Sequence, residues 1–329
     1  MNKAQVDRMS LFVYITHFQN SGSNNASNQQ KVKQLSDLIL GLSRINVKRL
    51  EISVFTNLKN YHELNPIFKP IESRPRGEGA YWNINLVPNE EMTIEGVYNP
   101  WLLTWSHKHK LKQDVLKSKK DSLFLYLEDD AIFLQDNLEY FLEFRPKLQK
   151  IGLIPGFLRA EFSPIHMAWT NPDIFPDHKY QDSQVLDDEG ELLLLRQYEN
   201  PFSASILLDL ELAYEYLRSK AFFLADSQTL HPIIWDTGAT AALGLISEKV
   251  PLGYSSRVAV ILNSQNSLPL LGAVLRHQGD RYANDVWQRH FLLFDSSDTP
   301  TMLNSNRSCV DIFKRLWTIG ILNYWRRIK

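Results

Sequence analysis

Cysteine is almost missing from this chain. Cys309 is the one example in 329 residues, which excludes an internal disulfide and any cluster of thiolate metal ligands. A surplus of positive charge is lacking too. Thirty-six Lys plus Arg stand against 37 Asp plus Glu, a net charge of −1, whereas a protein that coats nucleic acid reads as strongly basic. Nucleic acid is therefore not an expected partner. No run reaches the roughly 18 apolar residues that a membrane-spanning helix needs. The opening MNKAQVDRMS leads into LFVYIT, too short for the apolar region of a secretory leader, so a cytoplasmic location is expected. Neither GxGxxG nor GxxxxGK[ST] occurs, so the usual glycine-rich phosphate loops are absent. Aromatic residues, in contrast, are plentiful at 12%, with 8 Trp and 13 Tyr. Such rings suit sugars, bases or a membrane surface, and they also fill cores.

The pattern along the chain predicts an α/β protein. Residues 11–16 (LFVYIT) form a continuous apolar, β-branched run, as in a buried strand. A polar Gly/Ser/Asn stretch follows, and then apolar positions 32, 35, 38, 39 and 42 recur at helical spacing. Residues 49–56 (RLEISVFT) read as a second strand. Strand, helix, strand favours a parallel sheet. Residues 58–99 read as connections with short strands, 102–116 as a helix, 123–127 (LFLYL) as a strand and 139–148 as a helix. Further strands are expected at 205–208 and 258–262, helices at 210–219 and 236–245, and an exposed acidic excursion at 177–190. The expected organisation is one compact domain over 1–300, with an earlier part near 10–135 and a later part near 150–295. An amphipathic helix over 301–329 would follow.

The sharpest feature is LFLYLEDDAIF, an apolar strand ending at Glu128-Asp129-Asp130. Ligands collect at the carboxyl ends of strands in open α/β sheets. Three adjacent carboxylates repel one another unless a cation or hydrogen-bond donors compensate. Hard oxygen ligands with no nearby thiolate point to Mg2+ or Mn2+, ions that complete their shell with phosphate oxygens. The implied ligand is a diphosphate carrier. An acidic turn capping a helix is the competing explanation.

The Glu128-Asp129-Asp130 strand end resembles the DxD-type motif of GT-A-fold glycosyltransferases in its EDD form. Residues 99–108 (NPWLLTWSHK) are similar to an NPxxLTWxHR-type segment of a bacterial and fungal branch of that superfamily, and 155–161 (PGFLRAE) and 200–203 (NPFS) are similar to it as well. The resemblance covers roughly residues 10–290. It implies a GT-A-like, Rossmann-like fold: a mixed, mainly parallel central sheet flanked by helices. It also implies a metal-dependent glycosyltransferase that uses a nucleotide-sugar donor, a UDP-sugar by expectation, and a glycan or lipid-linked acceptor. Asp130 would hold Mn2+ or Mg2+, while Glu128 and Asp129 would face the nucleoside. The metal would stabilise charge on the departing diphosphate.

Such enzymes place a second acidic element about a hundred residues later, at a helix start. Asp236 in IIWDTGATAALG fits that position. An inverting transferase needs a carboxylate there to take the acceptor's proton, whereas a retaining one needs no such base; a helix cap is the alternative for Asp236. Glu161 competes for the role of base. His277 in GAVLRHQGDRY is implied as the late metal-completing histidine, with structural hydrogen bonding as its alternative. Arg276 and Arg281 flank it and could gather a diphosphate by charge and bidentate hydrogen bonds. Thr16 and His17 end the first strand and Thr56 ends the second, natural edges for the nucleotide base; His17 would stack on or bond to uracil, with a plain loop residue as its alternative. Arg74 could reach phosphates, or stand in its loop as a solvated charge. Trp101 and Trp105, four apart, share a helix face and pack in the core, with a sugar platform as the alternative.

Residues 310–329 (VDIFKRLWTIGILNYWRRIK) project apolar residues to one side and Lys314, Arg315, Arg326 and Lys329 to the other. A basic amphipathic helix of this kind lies in a membrane interface, or docks on its own domain or on a second subunit as a homo-oligomer. The first case would make the protein peripheral on the inner face of the membrane. Two other functional readings stand beside the transferase: a metal-dependent nucleotidyltransferase or phosphohydrolase, and a non-catalytic glycan-binding protein on the same fold.

Overall fold

Side chains that alternate across a strand can both be apolar only when the sheet is covered on both faces. That is the case for Ser10–His17 (β1), where Leu11, Val13, Tyr14 and Ile15 are all essentially inaccessible. The computed structural model describes residues 8–19, 25–58, 64–66, 68, 80–89, 93–94, 97–163, 168–171, 173, 180–187, 189–198, 202–227, 229–230, 237–278 and 291–294. After β1 come helix Asn25–Leu42 (α1), Arg49–Thr56 (β2), Tyr81–Pro88 (β3), and the small pair Thr93–Ile94 (β4) and Val97–Tyr98 (β5). A 3-10 helix, Pro100–Trp105, leads into His107–Lys117 (α2), Ser122–Glu128 (β6), Ala131–Ile132 (β7) and Gln135–Gln149 (α3). Then follow Ile154–Pro155 (β8), Leu158–Ser163 (β9), Ala168–Asn171 (β10), Tyr180–Leu186 (β11), Leu192–Tyr198 (β12) and Ser205–Asp209 (β13). The remaining elements are Leu210–Tyr216 (α4), Leu224–Ser227 (α5), Thr237–Ala241 (α6), Val258–Leu262 (β14), Val274–His277 (β15) and Phe291–Phe294 (β16).

The central sheet has the order β13-β6-β1-β2-β3, with β6, β1, β2 and β3 parallel and β13 antiparallel to β6. The protein is thus a mixed α/β fold with a mainly parallel central sheet flanked by helices. From β1 the chain passes through α1 to β2 and β3 on one side, then returns to β6 on the other. The order therefore reverses between β1 and β6, and a crevice opens beyond their carboxyl ends, the place where such sheets bind ligands. Thr16 is in register with Glu128, and His17 with Thr56, so three strand ends share this edge.

A second sheet, β16-β10-β9-β15-β7, stands over that edge. Its β7 follows the acidic turn directly and pairs antiparallel with β15, Ala131 opposite His277 and Ile132 opposite Arg276. A third sheet, β11-β12-β14-β8, completes the later half.

The structure departs from expectation in four places. Residues 81–88 form a full parallel strand beside β2 rather than a short connection. Residues 180–186 pair with β12 in a hairpin, where an acidic excursion was expected. Its side chains alternate between exposed and half-buried, as befits an edge strand. The helix expected at 102–116 starts as the 3-10 helix, whose threefold turn sets residues four apart on different faces. Trp105 is consequently buried while Trp101 is 55% exposed, so the two do not share a face. Finally, α1 begins at Asn25, seven residues before the expected start.

Candidate metal and donor site

The acidic turn is built from β6, which runs apolar and buried to Leu127 and then delivers Glu128, Asp129 and Asp130 at the crevice. Three side chains from this edge and the second sheet converge: Glu128, Asp130 and His277 each bring one candidate ligand atom to within 4.8 Å of the others. His277 reaches the turn because β15 pairs with β7, and the bond from Gln278 N–H to the Asp130 carbonyl, 2.7 Å, ties the turn to the end of β15. His277 Nε2 lies 3.0 Å from Asp130 Oδ1, and its Nδ1 lies 2.9 Å from Glu161 Oε1.

Strand alternation explains this set. On β9, Arg159, Glu161 and Ser163 share one face, and the parallel register of β15 puts His277 on it as well. Arg159 pairs with Asp173 at 2.8 Å behind the site. Arg276, the next residue along β15, falls on the opposite face, its guanidinium 5.9 Å from the ring centre of buried Trp169. The expectation that Arg276 joins His277 over a diphosphate is therefore corrected: adjacent strand residues cannot both face the crevice.

The electrostatics are those of a crowded, compensated pocket. Burial and then the neighbouring Asp130 push the Glu128 carboxyl up to about 7. Burial also works to raise Asp130, but His277, Lys31 and Arg159 outweigh it and hold this carboxyl well below the usual range. Burial would lower His277, yet Asp130 and Glu161 raise its imidazole to about 10. Two carboxylates and an imidazole with its far nitrogen held by a buried carboxylate form a donor set that fits a divalent cation. A cation bound there would displace the Nε2 proton, and the carboxylate at Nδ1 would keep the other nitrogen protonated.

Asp129 is organised differently. Its Oδ2 accepts from His17 Nδ1 at 2.7 Å and its Oδ1 accepts from Lys31 Nζ at 2.9 Å. Both oxygens are engaged and the residue is buried, so it does not face a nucleoside as expected. His17 is likewise fully buried, which closes its faces to a stacked base. Its Nε2 lies 3.1 Å from Gln19 Nε2, and Gln19 and Asn57 bond each other reciprocally through backbone and side chain. Thr16 Oγ1 donates to Tyr126 Oη at 3.2 Å, and Thr56 Oγ1 accepts from the Leu58 N–H at 3.2 Å. Both threonines are buried at the strand ends.

Glu161, expected as an alternative base, is 0% exposed and faces His277, a position that orients an imidazole and excludes an incoming hydroxyl. Asp236, Arg74 and Arg281 lie outside the described residues, as does the expected helix over 310–329. The helix that follows Asp236, α6, is held at both ends by the 105–108 segment. Trp105 Nε1 donates to the Thr237 carbonyl at 2.7 Å, and Lys108 Nζ donates to the Ala241 carbonyl at 3.4 Å.

Sequence reasoning missed Lys31, whose ammonium also reaches Asp130 Oδ2 at 3.5 Å. The signal was there. Lys31 precedes Leu35, Leu38 and Leu42 at helical spacing, so extending the helix back one turn puts it on the buried stripe.

The sequence matches no protein-family model and no curated protein. Among solved structures, the chain is similar to 4-diphosphocytidyl-2C-methyl-D-erythritol synthase from Anaerococcus prevotii, at 16% identity over 69% of this chain and 83% of that one, TM-score 0.29. It is also similar to mouse xyloside xylosyltransferase 1, at 12% identity over 48% of this chain and 54% of that one, TM-score 0.28. A third is the inositol-1-phosphate CTP transferase of T. maritima, at 10% identity over 63% and 74%, TM-score 0.30. Likenesses this distant assign the crevice no chemistry, and its function has to be read from its own residues.

Proposed function

We propose that this protein is a metal-dependent glycosyltransferase that moves a sugar from a nucleotide-sugar, by preference a UDP-sugar, to a glycan or lipid-linked acceptor. The observation that carries the reading is the convergence of Glu128, Asp130 and His277 at the carboxyl edge of the parallel sheet, with Glu161 behind the imidazole. Asp130, His277 and Glu128 hold Mn2+ or Mg2+. When bound, such an ion neutralises charge on a diphosphate leaving group. Glu128, expected to face the nucleoside, takes the part of a third ligand, and Glu161 that of a positioning residue for His277.

In the transfer, the acceptor hydroxyl oxygen bonds to the anomeric carbon as the sugar–phosphate bond breaks, and the bonding pair leaves with the nucleoside diphosphate. The hydroxyl proton passes to a carboxylate, and Asp236 is the proposed base of an inverting reaction. The second sheet over the crevice would limit competition by water.

Asp130→Ala and His277→Ala should each abolish Mn2+-stimulated release of nucleoside diphosphate from a nucleotide-sugar, with circular dichroism unchanged. Full turnover by either variant overturns the metal assignment. Incubation with a nucleoside triphosphate and a sugar phosphate tests the nucleotidyltransferase reading, because pyrophosphate release would then replace nucleoside diphosphate release.

A further inference from the structure

Lys31 is the cation that the transfer reaction above leaves without a part. It rises from the second turn of α1 to the mouth of the crevice, is 36% exposed, and sets its ammonium between Asp129 and Asp130. The ammonium is held by a chain of polar contacts. Asn57 and Gln19 bond reciprocally, Gln19 meets His17, His17 fills one oxygen of Asp129, and the other oxygen of Asp129 takes Lys31. Asp129 therefore has both oxygens engaged, one holding the lysine and the other held in place by His17. The bond to Asp130 is the weaker of the two, at 3.5 Å against 2.9 Å.

A cation bound by Asp130 competes for the oxygen that Lys31 touches loosely and leaves the stronger Asp129 contact in place. The ammonium has three N–H donors and spends one firmly, so donors remain to spare on a side chain that is part exposed. The cations around the cluster, Lys31 and Arg159, are not equivalent. Arg159 is buried and turned to Asp173, which leaves Lys31 as the one that incoming anionic oxygens can reach among these described residues.

Resting on the proposed transferase reading, we infer that Lys31 is a donor-phosphate-binding residue, aimed by Asp129 and His17, and that it shares the diphosphate with the metal. It accounts for a carboxylate in the EDD motif whose two oxygens are taken by His17 and Lys31. In this arrangement the motif divides its work: the outer two residues serve the cation and the middle one serves the lysine.

The test is calorimetric titration of uridine diphosphate and, separately, inorganic pyrophosphate into the full chain with saturating Mn2+, using wild type, Lys31→Met, Lys31→Arg and Asp129→Asn. Wild type should bind both probes, and Lys31→Met should weaken both about tenfold or more, the scale of one charge-assisted contact. Lys31→Arg should recover most of that loss, and Asp129→Asn should lose an intermediate amount. Mn2+ binding alone, followed by electron paramagnetic resonance, should persist in Lys31→Met. Binding of both probes by Lys31→Met within twofold of wild type overturns the assignment and makes Lys31 a counter-ion only, while the transferase reading survives. Failure of wild type to bind either probe with Mn2+ overturns both.

Discussion

Glu161 shows how much one side chain decides in this crevice. An imidazole that ligates a cation through Nε2 must carry its proton on Nδ1, and a buried carboxylate 2.9 Å from Nδ1 enforces that state. Replacing Glu161 by Gln keeps the shape and removes the charge. The variant should remain folded and bind Mn2+ about 10–100-fold more weakly, the usual cost of losing such a partner, as titration monitored by paramagnetic resonance will show. An unchanged affinity would mean that His277 is not a ligand. At this scale the sequence was partly transparent. The acidic strand end stood out because three carboxylates close an apolar strand, but Glu128 was expected at the nucleoside, and nothing local to His277 shows that β15 brings it to Asp130. Lys31 was overlooked despite its spacing to Leu35, because a polar helix start reads like the loop before it. The burial of His17 was hidden as well, since nothing local shows that Asp129 will come to meet it.

Elements carry the next level of control. Strand β15 starts where the turn Leu271–Ala273 docks on α3, with Asn137 Nδ2 donating to the Gly272 and Val274 carbonyls at 2.9 Å each. The docking is close. A methyl group on Gly272 would meet Tyr140 Cβ at 2.5 Å and the Asp136 carbonyl oxygen at 2.6 Å. Gly272→Ala should therefore destabilise the fold by about 1–3 kcal/mol, measured by urea denaturation. Because the displaced strand also bears His277, Mn2+ affinity should fall in the same variant. A stable variant with normal metal binding would show that β15 is placed by β9 and β7 alone. The buried parallel strands were readable from sequence because both of their faces are apolar. The β11–β12 hairpin was not: its outer strand, YQDSQVL, has few core residues, and pairing with a distant partner makes it a strand.

Across the whole molecule, Lys108 joins segments that are far apart in sequence. Its ammonium contacts Tyr216 Oη and the Ala241 carbonyl, and it lies over the rings of Trp105, Tyr216 and Phe222. Among the described residues no carboxylate pairs with it, and burial pushes it well below the ordinary lysine value of 10.5. A base whose folded pKa is depressed binds protons more readily once unfolded. Stability should then climb with pH through the window from that lowered value up to 10.5, and level off above it. Lys108→Met removes the dependence. It should match or exceed wild type by a few degrees in melting temperature at pH 7, on the scale of roughly 2–4 °C per kcal/mol for a chain of more than 150 residues. Calorimetry between pH 7 and 10 should show wild type regaining that difference; parallel curves for the two proteins would refute it.

The short β7–β15 ladder has a further consequence, one of timing. The carboxylates at 128–130 leave the ribosome long before the histidine at 277, and two paired residues plus one backbone bond at Asp130 are what bring them together. A nascent chain stopped anywhere in between owns the acidic turn and lacks the imidazole, so it stays a poor cation trap. Capture of the proposed metal would then report that β15 has joined the second sheet, and free cation would stabilise only chains folded at least that far.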